Sequence, residues 1–131
     1  MAKILCVDDD PEFLRVLRSL LEKKGYEVYL AESGKKALDM LKDISPDLIL
    51  LDIMMPELDG LETLRKIRSA GNTMPVIMLT ILYATEYREK SFAEGADAIV
   101  TKPIEKAILF KTIEWALKKS IRQQSPVPLP V

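Results

Sequence analysis

The sequence predicts an α/β domain in which five short parallel strands alternate with five helices. Three observations lead there. Short apolar runs recur along the chain, each followed by an amphipathic stretch at helical spacing. The most apolar run, Leu48-Ile49-Leu50-Leu51, carries no polar alternation, as befits a central strand covered by helices on both faces. Finally, acidic or hydroxyl residues follow several runs directly: Asp8-Asp9, Asp52 and Thr80.

Each element has its own signature. Ile4-Leu5-Cys6-Val7 reads as a buried strand. Asp10 as N-cap and Pro11 at the first helical position open a helix with the stripe Leu14, Leu17, Leu20 and Leu21, which Gly25 ends. Val28-Tyr29-Leu30 is a shorter strand, and Ser33-Gly34 opens a helix carrying Ala37, Leu38 and Leu41. Pro46-Asp47 leads into the third strand, which stops at Asp52. Residues 53–60 form a loop with Pro56 and the turn pair Asp59-Gly60. A helix from Leu61 to about Ser69, with Leu61, Leu64, Ile67 and Arg68, closes at Gly71. The fourth strand, Pro75 to Leu79, ends at Thr80, and a less regular helix follows from Thr85 to Glu94, closed by Gly95. Ala98-Ile99-Val100-Thr101 is the fifth strand. After Lys102-Pro103 the last helix covers about Glu105 to Ile121, with Leu109, Ile113, Ala116 and Leu117 inward.

Strict alternation implies right-handed crossovers and a parallel sheet. The leading topology is a flavodoxin-like (βα)5 three-layer sandwich with strand order 2-1-3-4-5. Residues 1–122 make one domain, and residues 123–131, with alternating prolines that favour an extended chain, read as a Pro-rich tail or linker.

Composition narrows the function. Lys and Arg number 19 against 20 Asp and Glu, so no global field draws in nucleic acid or an anionic membrane. Any partner must read a local patch. The chain lacks histidine, which excludes His-dependent zinc sites and Ser-His-Asp or Cys-His catalysis. Its single cysteine, Cys6, sits in an apolar run and reads as core. One cysteine permits no internal disulfide, and the first apolar segment is too short for a membrane span, so the expected address is the cytoplasm.

In the expected fold, Asp8, Asp9, Asp52, Thr80 and Lys102 converge at the carboxyl ends of the strands, where doubly wound sheets place their sites. Clustered carboxylates repel one another unless a cation binds, and oxygen-only donors suit Mg²⁺. Lys102 offers a fixed positive charge for a phosphoryl oxygen and Thr80 a hydrogen bond, leaving Asp52 to act as nucleophile and form an acyl phosphate.

These residues carry a resemblance. Ile4 to Asp9, Leu50 to Pro56 with Asp59-Gly60, Met78-Leu79-Thr80, and Gly95-Ala96-Asp97 ahead of Lys102-Pro103 stand in order at spacings that resemble the receiver domain of bacterial two-component response regulators, of the chemotaxis-regulator type. The resemblance covers about residues 3–120 and implies specific roles. Asp52 is the phosphoacceptor, Asp9 binds Mg²⁺ directly, Asp8 acts mainly through water, and the Met54 carbonyl completes the protein ligands. Lys102 contacts the phosphoryl group, its bond to Pro103 is cis, and Thr80 is the switch hydroxyl.

The resemblance also implies partners. The phosphoryl donor is a phosphohistidine on a sensor histidine kinase or a histidine phosphotransfer protein, docking on the first helix and the loop after strand five. Output is a contact with another protein or a downstream domain, and a phosphorylation-dependent homodimer is compatible with it. The chemistry is self-catalysed phosphoryl transfer and autodephosphorylation rather than multiple turnover.

Two positions depart from the family pattern. Ile81 stands where a small residue usually leaves room for the phosphoryl group, and Ile99 where Tyr or Phe usually partners the switch hydroxyl; Ile104 in place of Phe is a milder change. They motivate an alternative, a pseudo-receiver that docks partners without phosphorylation. A phosphatase with an aspartyl nucleophile is disfavoured, because Ile53 and Met54 follow Asp52 where an Asp-x-Asp acid is needed. The remaining expectations are plain: Met54 and Met55 as loop packing, Tyr83 and Tyr87 at or near the surface, and Trp115 partly exposed on the last helix.

Overall fold

The computed structural model describes residues 1–81 and 85–124. Its elements run β1 (Lys3–Val7), α1 (Pro11–Lys23), β2 (Glu27–Ala31), α2 (Gly34–Met40), β3 (Leu48–Asp52), α3 (Gly60–Ser69), β4 (Val76–Thr80), α4 (Thr85–Ala93), β5 (Ala98–Thr101) and α5 (Lys106–Gln124). The strands form one parallel sheet in the order β2-β1-β3-β4-β5, as expected. Register brings Val7 beside Leu51, Asp52 beside Leu79, and Thr80 beside Thr101. The ends of β1, β3, β4 and β5 therefore lie along one edge.

Alternation within each strand splits the core in two. Ile4, Cys6, Leu48, Leu50, Ile77 and Leu79 face α1 and α5, where Leu14, Leu17, Leu21, Leu109 and Ile113 meet them. Leu5, Val7, Ile49, Leu51 and Met78 face the other way, toward Ala37 of α2 and Leu64 and Ile67 of α3. Every residue of β3 and β4 is buried, which is why those runs show no polar alternation. Each such Leu or Ile is worth roughly 1.5–3 kcal/mol relative to exposure.

Helix ends follow their caps. Asp10 accepts hydrogen bonds from the Glu12 and Phe13 N–H groups at 3.0 and 3.3 Å, with Pro11 at the first position. Gly25, at φ 91°, supplies the left-handed turn after α1. Ser33 caps α2 by accepting from the Lys36 N–H.

The structure corrects the expected assignments in three places. Asp59-Gly60 is more than a turn: Asp59 caps α3, accepting from the Glu62 N–H at 2.8 Å, and Gly60 begins the helix. The last helix begins at Lys106 and continues to Gln124, because the run after Ile121 contains no breaker before Ser125; Gln123 and Gln124 are helical rather than part of the tail. Leu20 is only partly buried, at the margin of its stripe, whereas Leu61 and Leu117, also partly buried, pack against the core as expected. Tyr83 and the tail residues 125–131 lie outside the described residues. Tyr87 is partly buried and Trp115 half exposed, as expected. Among the described residues no helix is long and apolar enough to cross a membrane.

Candidate functional site

The strand edge assembles a crowded acidic site. β1 ends at Val7, and Asp8 and Asp9 follow; Asp52 is the last residue of β3, and Lys102 follows β5. One carboxylate oxygen each from Asp8, Asp9 and Asp52 lies within 4.8 Å of the others. Asp8 and Asp52 are 2% and 6% exposed, whereas Asp9 faces solvent. Lys102 reaches in from the other side, its Nζ 2.6 Å from Asp8 Oδ2 and 3.7 Å from Asp52 Oδ1.

Local backbone holds these groups in place. Asp8 Oδ1 accepts from the Asp10 N–H at 2.9 Å, so Asp8 fastens the start of α1 while its second oxygen meets Lys102. The Met54 N–H approaches Asp52 Oδ1 at 3.4 Å. The loop from Ile53 to Asp59 folds back tightly: the Gly60 N–H donates to the Ile53 carbonyl at 2.8 Å. A Cβ on Gly60 would stand 2.1 Å from the Asp52 carbonyl oxygen, so only glycine lets α3 begin this close to Asp52. The Lys102 N–H donates to the Thr80 carbonyl at 2.9 Å, linking the ends of β4 and β5. Lys102-Pro103 is a cis peptide.

The electrostatics are uneven. Burial, first, and the neighbouring Asp8, second, push the Asp52 carboxyl up to about 6; Lys102 and the Met54 N–H pull it back, and Asp9 adds a small upward push. Among the described residues, three carboxylates thus cluster where one ammonium reaches two of them. A hard divalent cation would relieve that imbalance, and the donor set, oxygen only with one acid open to solvent, fits Mg²⁺.

The structure brings Asp8, Asp9, Asp52 and Lys102 together as the sequence leads one to expect. Thr80 is buried at the end of β4. Met55 packs in the loop as expected, but the Met54 side chain is 55% exposed rather than packed, and its N–H faces Asp52. Ile81 is 61% exposed at the rim beyond Thr80, and Ile99 is half-buried against the α3-side core.

Two contributors were not singled out from sequence. Gly60 is one, hidden behind an ordinary Asp-Gly turn signal. The other is Phe13, whose ring lies under Lys102 with its centroid 4.3 Å from Nζ. Its signal was the Asp10 cap: the third residue of a helix that starts at a strand end stands beside that strand end.

Comparison with known proteins bears on this arrangement. The profile of the response regulator receiver domain family matches residues 4–114. The response regulator MprA of Mycobacterium sp. (strain KMS) is 37% identical over 124 residues, which is 95% of this chain and 54% of that protein. The chain thus spans about half the length of the curated relatives it matches. Among solved structures, a CheY-like receiver domain protein from Methanospirillum hungatei JF-1 superposes with a TM-score of 0.89 at 32% identity, covering 94% of this chain and 98% of the other. The chemotaxis protein CheY4 of Vibrio cholerae gives 0.85 at 31% identity, covering 88% and 98%.

Proposed function

The chain belongs to the response regulator receiver domain family of two-component systems, and from that premise we propose that it is a switch thrown by phosphorylation of Asp52. One observation carries the reading: Asp52 closes the central strand with its carboxylate within reach of Asp8, Asp9 and the Lys102 ammonium.

In the proposed reaction an Asp52 oxygen attacks the phosphorus of a phosphohistidine on a sensor histidine kinase or histidine phosphotransfer protein. The new O–P bond forms as the P–N bond to imidazole breaks, and the imidazole leaves with the bond's electron pair and takes up a proton. Lys102 offsets charge on a phosphoryl oxygen, and Thr80 donates a hydrogen bond to another. Asp9, Asp52 and the Met54 carbonyl would hold Mg²⁺ directly, with Asp8 acting mainly through water. Bound there, Mg²⁺ supplies positive charge that screens the carboxylates from the incoming phosphoryl oxygens. Water later attacks the phosphorus, releasing inorganic phosphate and restoring the carboxylate, so the chemistry is self-limited rather than that of a multiple-turnover enzyme.

The acyl phosphate favours one of two arrangements of the β4–α4–β5–α5 surface. Output passes to a second protein or to a further domain, a reading supported by curated relatives of which this chain spans only about half. Phosphorylation-dependent pairing of two copies is a third form of output. The near-neutral charge supports protein partners over nucleic acid or membrane, and the single cysteine supports a cytoplasmic address. The specific observation favouring the alternative, a docking module that needs no phosphorylation, is Ile99, which brings no aromatic ring to partner Thr80.

Intact-protein mass spectrometry after treatment with acetyl phosphate tests the proposal. One phosphoryl adduct is expected with Mg²⁺, and none with EDTA or in Asp52→Asn. No adduct on the wild type, beside a competent receiver that labels, would favour the docking module. An adduct surviving Asp52→Asn would reassign the acceptor.

A further inference from the structure

We propose that Phe13 is a positioning residue for Lys102: its ring holds the ammonium inside the acidic site, ready for the phosphoryl group. The inference rests on the phosphoacceptor reading of Asp52 but adds a residue to it. Lysine carries a strongly hydrated charge on a flexible stem, so a lysine at a site mouth tends to swing into water. Lys102 meets carboxylates on one side and a ring on another. Asp8 Oδ2 attracts it at 2.6 Å, and the Phe13 ring lies 4.3 Å from Nζ, within the range at which an aromatic face attracts a cation. Asp8 is the shorter of its two ion pairs, 2.6 Å against 3.7 Å to Asp52 Oδ1, so the carboxylates by themselves bias the ammonium toward β1. The ring supplies an apolar, electron-rich floor that keeps it near both acids without adding negative charge to a site that already has three carboxylates.

The position of the ring is itself dictated. The Asp10 N–H donates to Asp8 Oδ1, which ties the start of α1 to the site, and the Asp10 side chain then accepts from the Phe13 N–H. Asp8 therefore grips Lys102 with one oxygen and, through the helix cap, orients the residue beneath it with the other. Phe13 also lines an apolar cleft with Leu17, Leu20 and Ile104 on the α1 face, so the ring joins that cleft to the reacting groups.

The test uses the full chain with Phe13→Leu, which keeps apolar bulk without a ring, and Phe13→Tyr, which keeps the ring. Acetyl phosphate is the donor, so loss of protein docking has no influence on the rate. In the metal-free protein, ring current displaces the Lys102 ε-methylene resonance, assigned by its loss in Lys102→Arg. Phe13→Leu is expected to abolish that displacement and to slow adduct formation about 3- to 30-fold, while Phe13→Tyr keeps the displacement and reacts within about twofold of wild type. The proposal is overturned if the resonance is unmoved in Phe13→Leu, if Phe13→Leu reacts at the wild-type rate, or if Phe13→Tyr slows as much as Phe13→Leu. A wild type that takes no phosphoryl group removes the phosphoacceptor reading instead, and the resonance alone then decides where Phe13 holds Lys102. Should Phe13→Leu not fold, Phe13→Met replaces it with the same expected outcomes.

Discussion

The two ends of the sheet treat charge in opposite ways. At the carboxyl end three carboxylates crowd together, Lys102 reaches Asp8 and Asp52, and Asp52 is held against its preference for water. At the amino end one carboxylate, Asp97, is surrounded by donors: the Val76 N–H at 2.9 Å, Arg68 at 3.2 Å and Lys119 at 3.2 Å. Arg68 spends its other N–H groups on the carbonyls of Gly95, Asn72 and Met74. That network joins α3, the loop before β4, the loop before β5, and α5. Balanced charge marks where the chain holds itself together, and unbalanced charge marks where it waits for something to bind.

Substitutions at the two ends should therefore have opposite signs. The largest effect is expected from Asp97→Ala, which strands the Val76 N–H and leaves Arg68 and Lys119 without their carboxylate. Urea unfolding should show a loss of about 2–4 kcal/mol. A loss no larger than that of an exposed surface substitution would mean that the network is ornamental and the contrast false.

Removing a charge from the other end should help. Asp52 has a raised folded-state pKa, so between its unfolded value of 3.8 and about 6 the folded protein binds more protons than the unfolded one. Stability then falls as pH rises through that window, and the penalty is complete above it. In metal-free buffer at pH 7, Asp52→Asn is expected to gain about 1–3 kcal/mol and to flatten the slope between pH 4 and 6. Mg²⁺ should erase most of the difference by stabilising only the wild type. A destabilised Asp52→Asn would show that the carboxylate is structural.

The smallest effect belongs to a third kind of pair. Arg65 and Glu94 meet at 2.8 Å on the surface between α3 and the end of α4, and the hydrogen bond from Arg65 lowers the Glu94 carboxyl from its ordinary value. Solvent screens this pair, so Glu94→Gln should leave the melting temperature unchanged within error. A clear drop would mean that α4, whose only buried residue is Ser91, depends on that link.

How far these features could be read in advance follows their range along the chain. Strand runs, the Asp10 cap and the acids at strand ends are local, and each stood in the sequence within a residue or two of its structural place. Arg68 was legible as part of the α3 stripe, but its work was not, because its partners at Gly95 and Asp97 are brought near only when β4 and β5 pair. Gly60 looked like any turn glycine until α3 was seen to start against the Asp52 backbone. The contact of Phe13 with Lys102 spans about two thirds of the chain, and no periodicity announces such a meeting. The end of α5 was missed for the reverse reason: polar glutamines resemble a linker, yet they are good helix formers where nothing breaks the turn.

Cys6 gives the molecule a built-in clock. It is the chain's only cysteine, it is fully buried in the strand that leads into Asp8, and burial pushes its thiol well above the ordinary range. A thiol reagent therefore finds nothing to react with while the sheet is closed, and each labelling event dates an opening of β1. Counting those events with and without a phosphoryl donor would time how firmly the central strand is shut in each state, with no probe added to the surface where partners dock.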